Sequence, residues 1–513
     1  MSRISQKLPS RRALVAGSVL ALLLGGLVAV GINREAATAS TSATKPNIIF
    51  IQTDDQTLCS IIKASFCAKQ YKQVMPKTRQ LMIDQGTTFS NYFQTHPRCC
   101  PSRATALTGM YSHNHGLLSN KHGYGRFAFQ NVALPVWLKN AGYHTAHIGK
   151  YMNGYFGRFA DDLPVPPGWD EWYATVDNGT YHMFNYDMLV KSPAPIRNLN
   201  GVELVPPVAD PHRVAFGNLD SDYQTDIESS IADDYITREA TDPDPFYLAI
   251  NPLAPHTEHL GKSNDRAVNP RPAPRDKGRF RGAPLPKGPS FDEKDVKDKP
   301  GDIQKKPRLS SADQKFIQNR YRSQIESLLA VDDLVQRLFT TLTDTGQLAN
   351  TVIIYVSDNG FMAGEHRLAS GKVALYDESV RGPLIMRGPG IPTNAIRTQL
   401  SGNIDIAPTI ADIAGATPLT TVDGISLLDY LSNPSLDNGR AMLLENGVDG
   451  ARAIRDGRYT YIDDDSGKEL YDNVKDPHEL ESRDSDKAYS GIVRDLKKRL
   501  KPLETCAGSN CQE

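Results

Sequence analysis

Short apolar runs alternate along the chain with longer stretches in which apolar residues recur at helical spacing. The runs are dominated by apolar and β-branched residues, which is typical of strands buried on both faces. Five of them are predicted to be strands: Asn47–Thr53, Thr145–Ile148, Phe246–Ile250, Thr351–Val356 and Leu384–Met386. Residues 313–344 form a helical pattern that ends before Gly346, and Pro101 favours the first turn of another helix. Strands that alternate with helices predict an α/β fold with a large, mostly parallel sheet sandwiched by helices.

The pattern changes in two regions. Beyond residue 418 the apolar runs become short and alternating, as in Tyr459–Tyr461, so we expect residues 46–418 to form the main domain and 419–513 a smaller C-terminal α+β subdomain. Residues 262–312 are rich in Pro, Gly, Lys and Arg and are predicted to be a surface excursion within the main domain. Their basic side chains favour a solvated face, and a role in recruiting an anionic substrate is the alternative.

The first 39 residues have the pattern of a signal peptide. Basic residues precede a long apolar run, Ala13–Ile32, and the small residues Ala37–Ala39 suit a cleavage site. Paired Arg11 and Arg12 allow a twin-arginine signal as well as Sec export. The run is also long enough to span a bilayer, so a retained anchor is the alternative, and only then would the protein contact a membrane. Either way we expect the main body to be secreted or in the cell envelope.

Composition and cysteine spacing narrow the classes of function. The chain has 513 residues and a net charge of −1, so nothing in its charge indicates a nucleic-acid-binding protein. Of the six cysteines, Cys59 and Cys67 lie close in sequence, as do Cys506 and Cys511, and each pair can form a local disulfide in an oxidising compartment. Cys99 and Cys100 then have no predicted disulfide partner, since adjacent cysteines rarely form a disulfide with each other.

Acidic and amide side chains follow two of the predicted strands. Asp54 and Asp55 come directly after the first strand, and Asp358 and Asn359 follow the Thr351–Val356 strand. Ligand sites of open α/β sheets lie at the carboxyl ends of strands. Three carboxylates and one amide are oxygen donors that suit a hard cation, Ca²⁺ before Mg²⁺. Asp54 and Asp55 alone would more simply start a loop or cap a helix, and the second pair favours the metal site.

Several motifs in a fixed order resemble one enzyme family. Over residues 46–477 the chain resembles the type I, formylglycine-dependent sulfatases of the alkaline phosphatase superfamily. The local sequence of its motifs most resembles that of N-acetylglucosamine-6-sulfatases. The resemblance implies an alkaline phosphatase-like fold. It is carried by Thr53-Asp54-Asp55-Gln56, Cys99-Cys100-Pro101-Ser102-Arg103, His113-Asn114-His115, Gly149-Lys150-Tyr151, Ala254-Pro255-His256 and Ser357-Asp358-Asn359-Gly360.

The resemblance assigns a role to each residue of these motifs. It implies that a formylglycine-generating enzyme oxidises Cys99 to formylglycine, whose hydrated form supplies the nucleophile. Residue 99 would also join the four oxygen donors at the strand ends as a Ca²⁺ ligand. Arg103, Lys150 and Lys372 match positions that hold the nucleophile and the sulfate oxygens. His256 matches the histidine that protonates the leaving alcohol.

The chain departs from many arylsulfatases just after Lys150. Those enzymes carry a histidine two or three residues later that helps to release sulfate, whereas this chain has Met152 and Asn153. The base for sulfate release is therefore open, with His113 and His115 as candidates, and Asn153 is a tentative residue of the site. The two histidines can also simply shape the pocket.

The motifs together predict an exported sulfatase acting on amino sugars or other sulfated carbohydrate. A phosphonate or phosphate ester hydrolase of the same superfamily is the first alternative. A Cys–His thiol hydrolase is a further one, and would be inactivated by alkylation of Cys99. A non-catalytic, Ca²⁺-stabilised surface protein ranks below these, because the nucleophile, the metal ligands and both lysines are all present.

Overall fold

The predicted buried strands form the centre of one ten-stranded sheet. The computed structural model describes residues 45–63, 67, 74–121, 123–155, 165–177, 179–259, 267–447 and 450–512. The predicted signal segment, residues 1–39, lies outside the described residues. From one edge to the other, the strands are Ala395–Arg397, Thr87–Phe89, Leu384–Arg387, Thr351–Ser357, Asn47–Thr53, Phe246–Asn251, His144–Lys150, Glu171–Thr175, Tyr186–Ser192 and Val208–Phe216.

The five central strands of the sheet, from Thr351–Ser357 to Glu171–Thr175, run parallel. Antiparallel strands extend the sheet on both sides, so the sheet is mixed around a parallel core. The predicted strand near Leu384 is present but runs antiparallel to its neighbour. The carboxyl ends of the central strands therefore share one edge, where open α/β sheets place their ligand sites.

Side chains of the central strands enter two separate cores. In Asn47–Thr53, Ile49 and Ile51 join the core on one face, whereas Ile48 and Phe50 join the core on the other. Both faces are covered because successive side chains of a strand point to opposite sides. Helices Gln224–Glu239 and Ser311–Asp344 cover the first face. The second face carries Cys99–Thr108, Leu134–Asn140 and Ile406–Ala414.

The remaining helices are short, apart from the last. They are Pro76–Thr78, Ser112–His115, Gly301–Gln304, Asp377–Val380, Leu428–Ser432 and Ser490–Leu503, with a π-helical turn at Arg79–Ile83. Three two-stranded pieces join Tyr92–Phe93 to Ser401–Gly402, Ile196–Arg197 to Glu203–Val205, and Glu258–His259 to Ala267–Val268. Among the described residues no helix combines the length and apolar character that crossing a membrane requires.

A separate four-stranded antiparallel sheet lies toward the C-terminus. Its strands are Met442–Glu445, Arg452–Arg455, Tyr459–Asp464 and Gly467–Asp472. Helix Ser490–Leu503 packs on it through Leu496, Leu500 and Leu503. The predicted disulfides Cys59–Cys67 and Cys506–Cys511 are both present. The C-terminal region thus has its own sheet, and the apolar core beneath that sheet also includes Phe93, Met362 and Leu400 of the main domain.

The described part of the predicted surface excursion, residues 267–312, is mostly irregular but only partly solvated. Leu285 and Phe291 pack with Ile317 in a small apolar cluster. Lys299 is buried rather than solvated, because its ammonium group pairs with Glu293 at 3.4 Å and Asp298 at 3.1 Å. The expectation of one continuous solvated basic face is therefore wrong at this position.

Candidate active site

Two neighbouring strand ends bring four oxygen donors together. Thr53 and Ser357 are register partners in adjacent parallel strands, so the residues that follow them leave the sheet side by side. The Asp358 amide donates to the Thr53 carbonyl oxygen at 3.0 Å. Asp55 adopts a left-handed conformation with φ 62°, and its amide donates to Asp358 Oδ1 at 3.2 Å. The chain turns at this point so that Asp54 and Asp55 face the same buried space as Asp358 and Asn359.

Helix Cys99–Thr108 places its first turn over these strand ends. Cys99 Sγ lies 3.6 Å from Asp54 Oδ1 and accepts from Lys372 Nζ at 2.9 Å. Arg103 is four residues later and therefore on the same helical face. Its Nε donates to Asp358 Oδ2 at 3.0 Å. The Cys-x-Pro-x-Arg spacing thus puts the sulfur atom and a guanidinium group on one face of the first helical turns.

Cys100 points the other way. It lies in the core with helix Leu134–Asn140, and its Sγ accepts from the Asn153 amide at 3.1 Å. The structure therefore separates the two adjacent cysteines, with only Cys99 at the polar cluster.

Two lysines complete the charge balance of the cluster. Lys150 ends its strand fully buried and pairs with Asp54. Lys372, from the loop after Asn359, pairs with Asp55. Together with Arg103 they supply three cations to face three carboxylates.

The charges shift the pKa values of the carboxylates in opposite directions. Burial alone would raise the pKa of Asp54, but nearby cations, led by Lys150, hold it well below its ordinary value. For Asp358, burial and the Asp54 carboxylate raise the pKa to about 6. Burial and Asp54 also raise the pKa of the Cys99 thiol to about 11.

The donor set fits a hard divalent cation. One ligand atom each from Asp54, Asp55, Cys99 and His256 lies within 4.8 Å of the others. The amide oxygen of Asn359 is buried and has no hydrogen-bond partner, and a cation would satisfy it. The carboxylate and amide oxygens match Ca²⁺ or Mg²⁺ chemistry, whereas the Cys99 sulfur and the His256 nitrogen are softer donors.

His256 approaches the cluster from the end of the neighbouring strand Phe246–Asn251. Its Nδ1 donates to the Thr257 carbonyl oxygen at 2.5 Å, and its Nε2 lies 3.5 Å from Asp55 Oδ2. Burial lowers the pKa of this histidine to about 4, against the opposing effect of Asp55. With Nδ1 committed to the backbone, Nε2 is the atom that can exchange a proton with a group in the cluster.

Sequence reasoning missed Tyr181. Its ring lies 4.5 Å from Lys150 Nζ and 4.9 Å from the His256 ring, and it is buried. Its hydroxyl oxygen accepts from Asn153 Nδ2. The aromatic ring therefore forms one wall of the site and holds the lysine by a cation–π contact. Tyr181 ends a short 3₁₀ turn, Gly179–Tyr181, and no strand-end pattern in the sequence marks this position.

The two candidate bases and the tentative site residue Asn153 are placed differently. Asn153 contacts Cys100 and Tyr181, at the margin of the cluster. His113 instead bonds Glu445 and the Cys506 carbonyl oxygen. His115 Nε2 lies 3.1 Å from Thr105 Oγ1, with its Nδ1 accepting from the Leu117 amide. Both histidines are engaged by groups outside the cluster, and the structure does not bring them to Cys99.

Family models match nearly the whole described chain. The model described as Sulfatase matches residues 46–416. A second, described as the C-terminal part of N-sulphoglucosamine sulphohydrolase, matches residues 364–505.

Curated relatives are identical to this chain at about a third of the aligned positions. A Caenorhabditis elegans extracellular sulfatase homologue of the Sulf-1 type is 34% identical over 395 residues, which are 75% of this chain and 49% of that protein. Human N-acetylglucosamine-6-sulfatase is 31% identical over 428 residues, 82% of this chain and 69% of that protein. The chain thus spans about half the length of the nematode relative.

Solved structures share the fold at lower identity. One, of a protein in complex with its substrate D-glucosamine-2-N,6-O-disulfate, has a TM-score of 0.68 and 24% identity over 90% of this chain and 97% of that one. A phosphonate monoester hydrolase from Silicibacter pomeroyi has a TM-score of 0.62 and 19% identity over 89% of this chain and 94% of that one. At these identities the likeness establishes the fold alone.

Proposed function

The chain belongs to the sulfatase family, and we propose that it is a sulfuric ester hydrolase of sulfate monoesters on amino sugars or other sulfated carbohydrate. The observation that carries the proposal is the environment of Cys99. Its sulfur atom lies against Asp54 and Lys372 in a buried cluster that also holds Arg103 and Lys150. An anionic ester is best stabilised by fixed cations in such a water-poor site.

The proposed cofactor is Ca²⁺ rather than Mg²⁺, held by residue 99 and the oxygen donors Asp54, Asp55, Asp358 and Asn359. When bound, the cation would polarise the sulfate group. We further propose that Cys99 is oxidised to formylglycine by a formylglycine-generating enzyme. The thiol-hydrolase alternative needs a thiolate at residue 99, so alkylation of Cys99 would abolish activity under that alternative and would leave a formylglycine enzyme unaffected.

Three cations have distinct tasks in this proposal. Arg103 Nε and Nη2 are each 3.0 Å from Asp358 Oδ2, which fixes the position of that ligand. Lys372 reaches the side chain of residue 99 directly and orients the nucleophile. Lys150, held between Asp54 and the Tyr181 ring, is left to neutralise charge on the sulfate oxygens.

His256 is the proposed proton donor to the leaving alcohol. Burial holds its pKa near 4 without substrate, so this role requires the bound anionic ester to raise the pKa and place a proton on Nε2. We expect His256→Gln to lower kcat by about 10²–10⁴-fold on a sugar sulfate, the range for loss of general acid catalysis. The loss should be much smaller on nitrophenyl sulfate, whose leaving group needs little protonation. Steady-state kinetics on both substrates measure the difference. Equal losses on the two substrates would contradict this role.

The substrate is tested by comparing esters with one enzyme preparation. N-acetylglucosamine-6-sulfate and glucosamine-6-sulfate stand for the proposed class, beside phenyl phosphonate and phosphate esters. We expect kcat/KM for the best sulfate ester to exceed that for the phosphonate by at least about 100-fold. The relative named N-acetylglucosamine-6-sulfatase supports the choice of the amino sugar. Faster phosphonate turnover would favour the alternative hydrolase, and turnover of no ester would favour a non-catalytic protein.

We propose an extracellular or cell-envelope location. Two local disulfides suit an oxidising compartment, and relatives from Caenorhabditis elegans and Drosophila melanogaster are named extracellular sulfatases. The signal-like pattern of residues 1–39 supports export by a Sec or twin-arginine route.

A further inference from the structure

A second group of buried acids and a histidine lies outside the candidate active site. His366 and Glu378 flank the loop that carries Lys372, and Glu479 follows the C-terminal sheet. One ligand atom from each of the three lies within 4.8 Å of the other two. None of these three residues takes part in the proposed reaction.

The orientation of His366 leaves a lone pair directed into this group. The ring is fully buried, and its Nδ1 donates to Glu293 Oε2 at 2.6 Å. Its Nε2 has no hydrogen-bond partner and faces Glu378 Oε2 at 4.0 Å. A neutral ring with its proton on Nδ1 presents only an acceptor to that carboxylate. A carboxylate that holds one ring nitrogen while the other is directed at acidic groups is the usual surrounding of a metal-binding histidine.

The two carboxylates are also fixed by neighbours. Glu378 Oε1 accepts from Ser290 Oγ at 3.0 Å. Glu479 accepts from the Asp377 amide at 2.9 Å and from Asn473 Nδ2 at 3.1 Å. Each carboxylate therefore has a defined direction and oxygen lone pairs left over for a further partner.

Few basic side chains pair directly with the two carboxylates, although Lys299 lies 3.4 Å from Glu293, the partner of His366. Arg455 Nη1 reaches Glu479 Oε1 only at 4.0 Å. Within the described ranges, no Lys or Arg forms an ion pair with Glu378, to which His366 is the nearest basic group. Buried carboxylates without a counter-charge are costly, so they take up a proton or a cation.

A second His–Glu–Glu group in the same protein differs in that an arginine neutralises its carboxylates. His144, Glu171 and Glu239 also come within 4.8 Å of one another. There, however, Arg238 donates to both oxygens of Glu171 at 2.8 Å and lies 3.6 Å from Glu239. The guanidinium group supplies the positive charge, and that group needs no ion.

We propose that His366, Glu378 and Glu479 bind a structural Zn²⁺ ion. One imidazole nitrogen and two carboxylate oxygens are a usual protein ligand set for zinc, with water as a fourth ligand. A cavity of about 50 Å³ borders Glu378 and Ser290, on the side of Glu378 away from the residues that line the rest of the group. The Glu378 side chain is 17% exposed, which gives the ion a route of entry.

Burial disfavours a negative charge on either carboxylate unless a cation is bound. Burial, together with neighbouring carboxylates, raises the pKa of Glu378 well above its ordinary value. Burial and the adjacent Asp377 raise the pKa of Glu479 to about 8. A bound ion would displace these protons and tie the loop that carries Lys372 to the segment after the C-terminal sheet.

Zinc content tests the proposal directly. The full protein is dialysed against Zn²⁺ in a large excess of Ca²⁺, which occupies the oxygen-rich active site, and its metal content is measured by mass spectrometry. We expect one Zn²⁺ per chain and a melting temperature that rises with added Zn²⁺. Glu378→Gln keeps the shape and the Ser290 hydrogen bond, and should bind Zn²⁺ at least about tenfold more weakly.

The matched control is Glu239→Gln, which changes the Arg238-filled group. This variant should retain one Zn²⁺ per chain. Absence of zinc from the native protein would overturn the proposal, because the two carboxyl groups would then hold protons instead. Retention of zinc by Glu378→Gln would overturn it as well, since the ion would lie elsewhere.

Discussion

Replacing Cys99 by alanine is expected to lower kcat for sulfate-ester hydrolysis by at least about 10⁴-fold, as loss of a nucleophile does in other covalent catalysts. Cys99 is the residue that both Lys372 Nζ and Asp54 approach, at 2.9 Å and 3.6 Å. Alanine removes the group that is to be oxidised while keeping the helix that begins there. Turnover of a sugar sulfate and the melting temperature, measured on one preparation, separate loss of chemistry from loss of folding.

The control for this prediction is Cys100→Ala. Cys100 lies in the core beside Asn153 and away from the carboxylates. The variant should lose about 1 kcal/mol of stability through lost packing, with turnover retained. If Cys100→Ala removed turnover and Cys99→Ala kept it, the assignment of the nucleophile would be wrong.

Replacing Lys150 by methionine should have the next largest effect. Lys150 is fully buried and pairs with Asp54, so methionine keeps the volume and removes the charge. We expect kcat/KM to fall by about 10²–10³-fold, the range for loss of one fixed donor to developing charge. Asp54 still has Arg103 at 3.5 Å and Lys372 at 3.8 Å, so the variant should fold. Kinetics in saturating Ca²⁺ measure the loss without a contribution from weaker metal binding.

A buried ion pair elsewhere provides the comparison for Lys150→Met. Arg440 donates to both oxygens of Asp405 at 2.8 Å, and both side chains are buried. Arg440→Met should cost about 3–5 kcal/mol of stability by leaving Asp405 unpaired, while the folded protein keeps its kcat/KM. A similar fall in kcat/KM for both variants would mean that Lys150 acts through stability alone.

The sequence predicted strands correctly where burial on both faces requires an apolar run. Asn47–Thr53 is buried at every position, so its apolar run was visible and its bounds are those predicted. The outer strand Val208–Phe216 exposes most of its residues, so its polar sequence carried no strand pattern. The orientation of Leu384–Arg387 was also beyond prediction, because an apolar run has no direction until it is paired.

The residues of the candidate site that lie directly after strands of the sheet could be predicted from the sequence. Asp54 and Asp358 leave adjacent strands, so their meeting follows from the parallel topology. Tyr181 and the His366 group were missed because they depend on tertiary contacts. Tyr181 reaches Lys150 from a short 3₁₀ turn, and Glu479 meets His366 from a part of the chain far away in sequence.

The central claim, that residue 99 is a formylglycine nucleophile, is tested most directly by mass. Trypsin releases residues 99–103 as one peptide, because it cleaves after Arg98 and after Arg103. In a preparation with measured turnover, we predict that this peptide has lost one sulfur atom and two hydrogen atoms and gained one oxygen atom relative to the thiol form. It should also gain the mass of an aminooxy reagent, as an aldehyde does. An unmodified Cys99 in fully active protein would contradict the account.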